Sequence, residues 1–219
     1  MYSVTKQDFI MSTVNVMDVV TVACAVYRIN GGLVRDTKDD KVANGILVKS
    51  HFLNNTPVDI TEADREAATT ACNYLVQTVM LAKLTSKNVN EFTANIVELL
   101  EKETTASRNI GLLTWVPKLY ADLTKNDDLK QELTVIGFGS QYLGKVGDKI
   151  IVNFTAITKR FNNNYNCWRY TGHDGNGNLV GFLSKNEIAN GKIKGKIKAT
   201  EYSNYNGGKT TFLNYVKEL

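Results

Sequence analysis

Two hydrophobic periods divide the chain. Over residues 59–123 apolar side chains recur every three or four positions, the spacing of a buried helical stripe; beyond residue 144 they alternate with polar ones, the spacing of half-buried strands. The clearest helix opens at residues 59–64. Thr61 is its predicted N-cap, Glu62 and Asp64 occupy the first turn, and Ile60 is placed to staple onto it. Ala67, Ala71, Leu75, Val79 and Ala82 then form the predicted inner stripe. A second helix is predicted over residues 88–102, with Phe92, Ile96, Leu99 and Leu100 on one face. A third runs over 107–123 and is expected to kink or split at Trp115-Val116-Pro117. Trp115 and Tyr120 are expected in the core.

The segment before these reads less cleanly. Residues 5–29 predict a helix capped by Thr5 with Asp8 and stopped by Asn30-Gly31-Gly32, although its valines also suit a strand. Asn15 and Asp18 interrupt its apolar run, which favours a buried helix over a membrane span or a signal peptide. Residues 33–57 are polar and predict irregular chain, and Lys125-Asn126-Asp127-Asp128 predicts a break. The composition changes at the glycine-rich stretch from 137 to 144, and a domain boundary is expected near 137.

After that boundary five strands follow. Residues 149–159 place Ile150, Val152, Phe154 and Ala156 on one face. A turn at 161–164 leads to a strand holding Trp168 and Tyr170 on one side and Tyr165, Cys167 and Arg169 on the other. Arg169 and Tyr165 are expected outside and Trp168 inside. Asp174-Gly175-Asn176-Gly177-Asn178 predicts a hairpin. Residues 179–183 make a third strand and 185–189 a helical turn. The fourth strand is Lys192-Ile193-Lys194-Gly195-Lys196-Ile197-Lys198, whose four lysines share one face while the isoleucines take the other. A loop rich in Asn, Gly and Tyr over 201–208 precedes a fifth strand, 210–217. The expected fold class is therefore α+β: an N-terminal helical bundle (residues 1–137) followed by a C-terminal five-stranded OB-like β-barrel (138–219).

Charge follows the same division. Residues 138–219 carry twelve Lys and Arg against five Asp and Glu, whereas residues 1–137 carry fourteen against seventeen. Such asymmetry points to a polyanion-facing part and a mildly acidic one. Three dispersed cysteines without a CxxC pair predict free thiols and a reducing, intracellular compartment.

Gly144-Lys145-Val146-Gly147-Asp148-Lys149, the Asp-Gly-Asn hairpin, Gly191 with the Lys/Ile strand, and Glu201-Tyr202 through Gly207 to Lys209-Thr210 and a final Leu-x-x-Val-Lys strand resemble the OB-type domains of phage-encoded nucleic-acid proteins. The resemblance spans residues 144–217. It implies single-strand binding with a role in replication, recombination or protection of nucleic acid.

Binding a single strand without sequence preference requires cations along the phosphates and flat rings for the bases. Lys192, Lys194, Lys196, Lys198, Arg169, Lys159, Arg160 and Lys209 are the candidate cations; Tyr165, Tyr202 and Tyr205 are the candidate rings, with Tyr215 as a further one. A lysine row also protects an edge strand from edge-to-edge pairing, and the spacing alone leaves both readings open. The expected partner is single-stranded DNA or RNA, without a cofactor, metal or membrane. An adaptor whose acidic helical part docks a protein is the alternative. Gly208-Lys209-Thr210 lacks the first glycine of a phosphate loop, since position 203 is serine, and two distant histidines give no zinc set. No nucleophile–base pair is evident, so no enzyme activity is expected.

Overall fold

Asn15, Thr61 and Asn90 each place a side-chain oxygen where a helix needs an acceptor, and each opens one. The structure, a computed structural model, describes residues 13–38, 40–204 and 207–219. It is α+β, with a helical part followed by a five-stranded sheet. A short strand β1 (Thr13–Asn15) leads into α1 (Val16–Asn30), followed by α2 (Asn44–Asn54), α3 (Glu62–Leu84), α4 (Glu91–Leu100), a second short strand β2 (Thr104–Ala106) antiparallel to β1, a 3₁₀ turn (Ser107–Asn109), α5 (Ile110–Leu113) and α6 (Val116–Gly139). The chain divides into two compact units between Leu123 and Thr124, inside α6.

Several expectations are corrected in the first unit. Helix α1 starts at Val16, where Asn15 accepts the Asp18 amide at 3.1 Å; the cap expected at Thr5 lies outside the described residues. It ends as expected at Gly31, in the left-handed conformation. Residues 44–54, expected to be irregular, form α2. That helix lacks a side-chain N-cap and fully buries only Asn44 and Val48, with Leu47 and Phe52 half-buried against the core. Asn44 instead ties it down by tertiary bonds: its Oδ1 accepts from Asn30 Nδ2 at 2.8 Å and from the Val34 amide at 2.9 Å. In α3 the inner residue of the first turns is Ala68, not Ala67, followed by Ala71, Cys72, Leu75 and Val79. Trp115 and Tyr120 are half-buried against the helical core, Trp115 meeting the Phe92 edge at 5.4 Å and the Arg35 guanidinium at 5.3 Å. The segment 107–123 does split before Pro117, which sits in the first turn of α6 where its missing N–H costs nothing. The predicted break at 125–128 is an exposed stretch of that same helix.

Asp64 closes the start of α3. Its carboxylate accepts from the Thr61 amide and hydroxyl, each at 2.8 Å, and from Arg28 Nε and Nη2 at 3.0 and 2.9 Å. The Arg28 hydrogen bonds outweigh the opposing effect of burial and hold its pKa down at about 2. A carboxyl group with a lower pKa folded than unfolded stabilises the fold above its unfolded value near 4, and that contribution disappears as pH falls through about 2. Asp64→Ala is expected to destabilise the helical unit by about 2 kcal/mol at pH 7, mainly because the Thr61 donors lose their acceptor. Urea unfolding at pH 7 and pH 2.5 checks this: the gap between variant and wild type should narrow at the lower pH.

In the second unit β3 (Lys149–Asn162), β4 (Cys167–His173), β5 (Leu179–Ser184), β6 (Gly191–Ser203) and β7 (Gly208–Glu218) form one sheet. The order is β3-β4-β5-β7-β6, and β6 returns to pair with β3, so the sheet closes on itself. All neighbours are antiparallel except β5 and β7, which run parallel. Alternation explains the core: Val152, Phe154, Tyr170, Val180, Phe182, Ile193, Ile197 and Leu213 point inward. Tyr170 stacks on Phe182 at 4.8 Å, and its hydroxyl accepts the Ile188 amide at 2.7 Å. The helical turn expected at 185–189 is absent; that segment is held by Ile188 packing onto the core. The 174–178 turn forms as expected, with the buried Asp174 carboxylate accepting the Asn176 and Asn178 amides at 2.9 and 2.7 Å. No described helix is long and apolar enough to cross a membrane.

Candidate nucleic-acid interface

Strand β6 carries the predicted alternation: Lys192, Lys194, Lys196 and Lys198 are exposed, while Ile193, Gly195 and Ile197 are buried. The strand is not an edge there. Ile193 and Lys194 pair with β3 on one side and β7 on the other, so edge protection does not account for the lysines. The pairing adds two cations that spacing along one strand does not reveal. Lys196 lies directly opposite Lys149 of β3, and Lys194 directly opposite Lys217 of β7. Among the described residues none of these six lysines makes a side-chain ion pair. The two nearest carboxylates in sequence are turned to the backbone: Asp148 accepts the Lys145 amide at 2.8 Å and Glu218 the Ala189 amide at 2.5 Å.

Lys149, Ile151, Lys194, Lys196, Tyr215 and Lys217 surround an open cleft of about 570 Å³. Ile151 is 65% exposed and Tyr215 81% exposed, so the patch offers apolar and aromatic surface beside its cations. A second cleft, of about 310 Å³, brings together Tyr165, Arg169 and Lys198 with Leu183, Glu201 and Asn214. The two clefts follow each other along β6 and β7. Arg169 is exposed as expected and lies opposite Arg160, a third like-charge pair across neighbouring strands. Tyr165 and Tyr202 are 74% and 64% exposed.

Other predicted cations are already engaged within the protein. Lys159 is paired with Glu187 and sits 4.6 Å from the Trp168 ring, which is half-buried rather than fully inside. Arg160 donates to Asn126 Oδ1 at 2.9 Å. Lys209 donates to Gln141 Oε1 at 2.7 Å and lies 5.7 Å from the Tyr142 ring. Tyr205 lies outside the described residues. Of the candidate cations, those with no side-chain ion pair or hydrogen bond among the described residues are therefore the four lysines of β6 and Arg169 of β4, joined by Lys149 of β3 and Lys217 of β7.

No protein-family model matches the chain, and neither a curated protein nor a solved structure matches it.

The remaining chemical candidates are structural in their surroundings. All three cysteines are buried, and burial raises the thiol of Cys24 to about 12 and that of Cys72 to about 11, which keeps both protonated at neutral pH. Among the described residues no group of three or more His, Cys, Asp or Glu side chains is placed to hold a metal ion. Gly208, Lys209 and Thr210 begin strand β7, so no helix N-terminus follows them to face a phosphate.

Proposed function

We propose that the C-terminal unit is an OB-type barrel that binds single-stranded nucleic acid, DNA or RNA, largely without sequence preference. The strand order with its single parallel pair, β5 with β7, supports the OB reading, alongside the resemblance carried by residues 144–217. The observation that carries the binding reading is the pair of opposed lysine contacts, Lys149 with Lys196 and Lys194 with Lys217, made to a stretch of β6 that is paired along both of its sides. Like charges directly opposite one another destabilise a sheet, and no carboxylate offsets them here. A polyanion laid across the face relieves that repulsion. Phosphates supply the anion, and the exposed rings of Tyr165 and Tyr202 supply surfaces for unpaired bases. Replication, recombination or protection of nucleic acid in a phage-infected cell is the setting this resemblance favours.

Fluorescence polarisation with fluorescein-labelled (dT)20, (rU)20 and a 20-bp duplex tests the reading in 50 mM salt. Both single strands are expected to bind more tightly than the duplex. Engagement of four lysines gives a log–log salt slope of about −3. Absence of single-strand binding at low salt would remove the proposal. It would favour the adaptor reading, which rests on Met80, Leu81 and Leu84, exposed together at the end of α3.

A further inference from the structure

Strict alternation along β7 would turn Tyr215 and Lys217 inward, because Leu213 points into the core. The opposite is found. Between the pairs Lys194–Lys217 and Lys196–Asn214, strand β7 has two residues, Tyr215 and Val216, where β6 has only Gly195. This bulge shifts the alternation by one: Val216 packs inward against the core, and Tyr215 and Lys217 turn out to solvent. Tyr215 adopts φ +55°, the left-handed region that side-chain-bearing residues rarely enter, and glycine would fill that position without strain. Beneath it Gly195 leaves little room: a Cβ there would sit 3.2 Å from Leu213 Cβ and 3.3 Å from Val216 Cγ2, and those side chains would have to give by a few tenths of an ångström. The backbone is strained at the point where it presents an exposed ring, and strain of this kind concentrates at functional positions.

The ring belongs to the cleft lined by Lys149, Lys194, Lys196, Lys217 and Ile151. From this we infer that Tyr215 is a base-stacking platform of the proposed single-strand site, holding one unpaired base while the flanking lysines hold the phosphates on either side. The inference rests on the reading of the C-terminal unit as a single-strand binder and specifies where a base is held. Lysines on alternate residues of a strand stand about 6.7 Å apart, so an extended sugar–phosphate chain passes from one to the next. Only an unpaired base exposes a face to the tyrosine; in a duplex both faces are covered by neighbouring pairs. Tyr215 therefore contributes discrimination against duplex, and the lysines contribute charge that duplex and single strand share.

The full-length chain with Tyr215→Gly, Tyr215→Phe and Lys194→Gln tests this with fluorescein-labelled (dT)20 and (rU)20 over 50–200 mM salt. Tyr215→Gly removes the ring while relaxing the backbone, so its melting temperature should equal or exceed that of the wild type. Its affinity for the single strands should fall about tenfold with an unchanged salt slope. Tyr215→Phe should bind as the wild type does, because stacking needs only the ring. Lys194→Gln should flatten the slope by about 0.7. A folded Tyr215→Gly variant that binds as tightly as the wild type overturns the inference while leaving the single-strand reading intact; so does a loss accompanied by a flattened slope, which would place its effect on the lysines. A wild-type chain that binds neither oligonucleotide fails at the earlier step, the reading of the unit itself.

Discussion

Charge reversal at Lys194 and Lys196 together is expected to weaken single-strand binding about 100-fold in 50 mM salt while leaving the protein at least as stable as the wild type. The two halves of this expectation come from the same geometry. Each reversal removes an attraction to a phosphate and adds a repulsion. At contact distance in water each such term is about 1 kcal/mol, so two reversals amount to roughly 4 kcal/mol before screening and about 3 kcal/mol after it. That is about a hundredfold in affinity. The log–log salt slope should flatten by about 1.4, since two phosphate contacts disappear. Within the sheet the sign is opposite. Lys194 faces Lys217 and Lys196 faces Lys149, so a carboxylate at either position meets a cation in place of a like charge. Cross-strand pairs of opposite charge contribute a few tenths to 1 kcal/mol each. Polarisation titrations and thermal melts on the same variant, Lys194→Glu/Lys196→Glu, measure both quantities. Unchanged affinity would show that this face does not meet the nucleic acid; a lowered melting temperature would show that the lysines are placed for stability. A gain in stability with a loss of binding is the signature of residues retained for a ligand at some expense to the fold.

How far the sequence reveals this arrangement depends on whether each feature is local. The Thr61 cap with Asp64, the stop at Gly31, the Asp174–Asn178 turn and the alternation of β6 are set within a few residues, and each is legible in the chain. Helix α2 is not, because no side chain caps its start and Asn44 ties it down through bonds to Asn30 and Val34 that are distant in the chain, while Leu47, Val48 and Phe52 form only a short apolar face. The stretch 124–132 of α6 is exposed or half-exposed helix; its polar residues carry a break signal that the surrounding helix overrides. In the candidate site the four lysines of β6 are visible from their spacing, whereas Lys149 and Lys217 join them only through the register of three strands. Tyr215 is the hardest case. Residue type alone makes it a candidate ring, but its direction is set by a bulge that period-two reading cannot anticipate, and alternation from Leu213 would turn it into the core. Lys159, Lys209 and Arg160 show the converse error: charge in sequence does not reveal Glu187, Gln141 and Asn126 waiting beside them.

Gly208→Ala is expected to produce a large loss of stability in the C-terminal unit. Gly208 opens β7 against the end of α6, and a Cβ there would overlap the backbone carbonyl and Cα of Gly137. Neither side can yield easily. Gly207, beside it at φ +70°, also faces the helix, since a Cβ there would lie 3.0 Å from Thr134 Cα, and Ser140 bridges the two strands next to the helix end by donating to Lys209 O at 2.6 Å and accepting the Leu179 amide at 2.8 Å. Backbone meeting backbone has no rotamer through which to relax, so overpacking should reach about 3 kcal/mol, the upper part of its usual range. For a unit of this size that corresponds to a fall of roughly 15 °C in melting temperature. Gly139→Ala supplies the control. It lies at the end of the same helix, a Cβ there meets nothing within 4 Å, and alanine favours helix, so its melting temperature should stay level or rise. Circular dichroism melts of the two variants distinguish the cases, and a Gly208→Ala variant within 1 kcal/mol of the wild type would mean that helix and strand do not meet as closely as described. The expected loss bears on binding as well as on folding. Lys209 pairs with Tyr202 across β6 and β7, so the contact that excludes a methyl group at Gly208 also fixes the end of the sheet from which the Tyr202 ring reaches solvent.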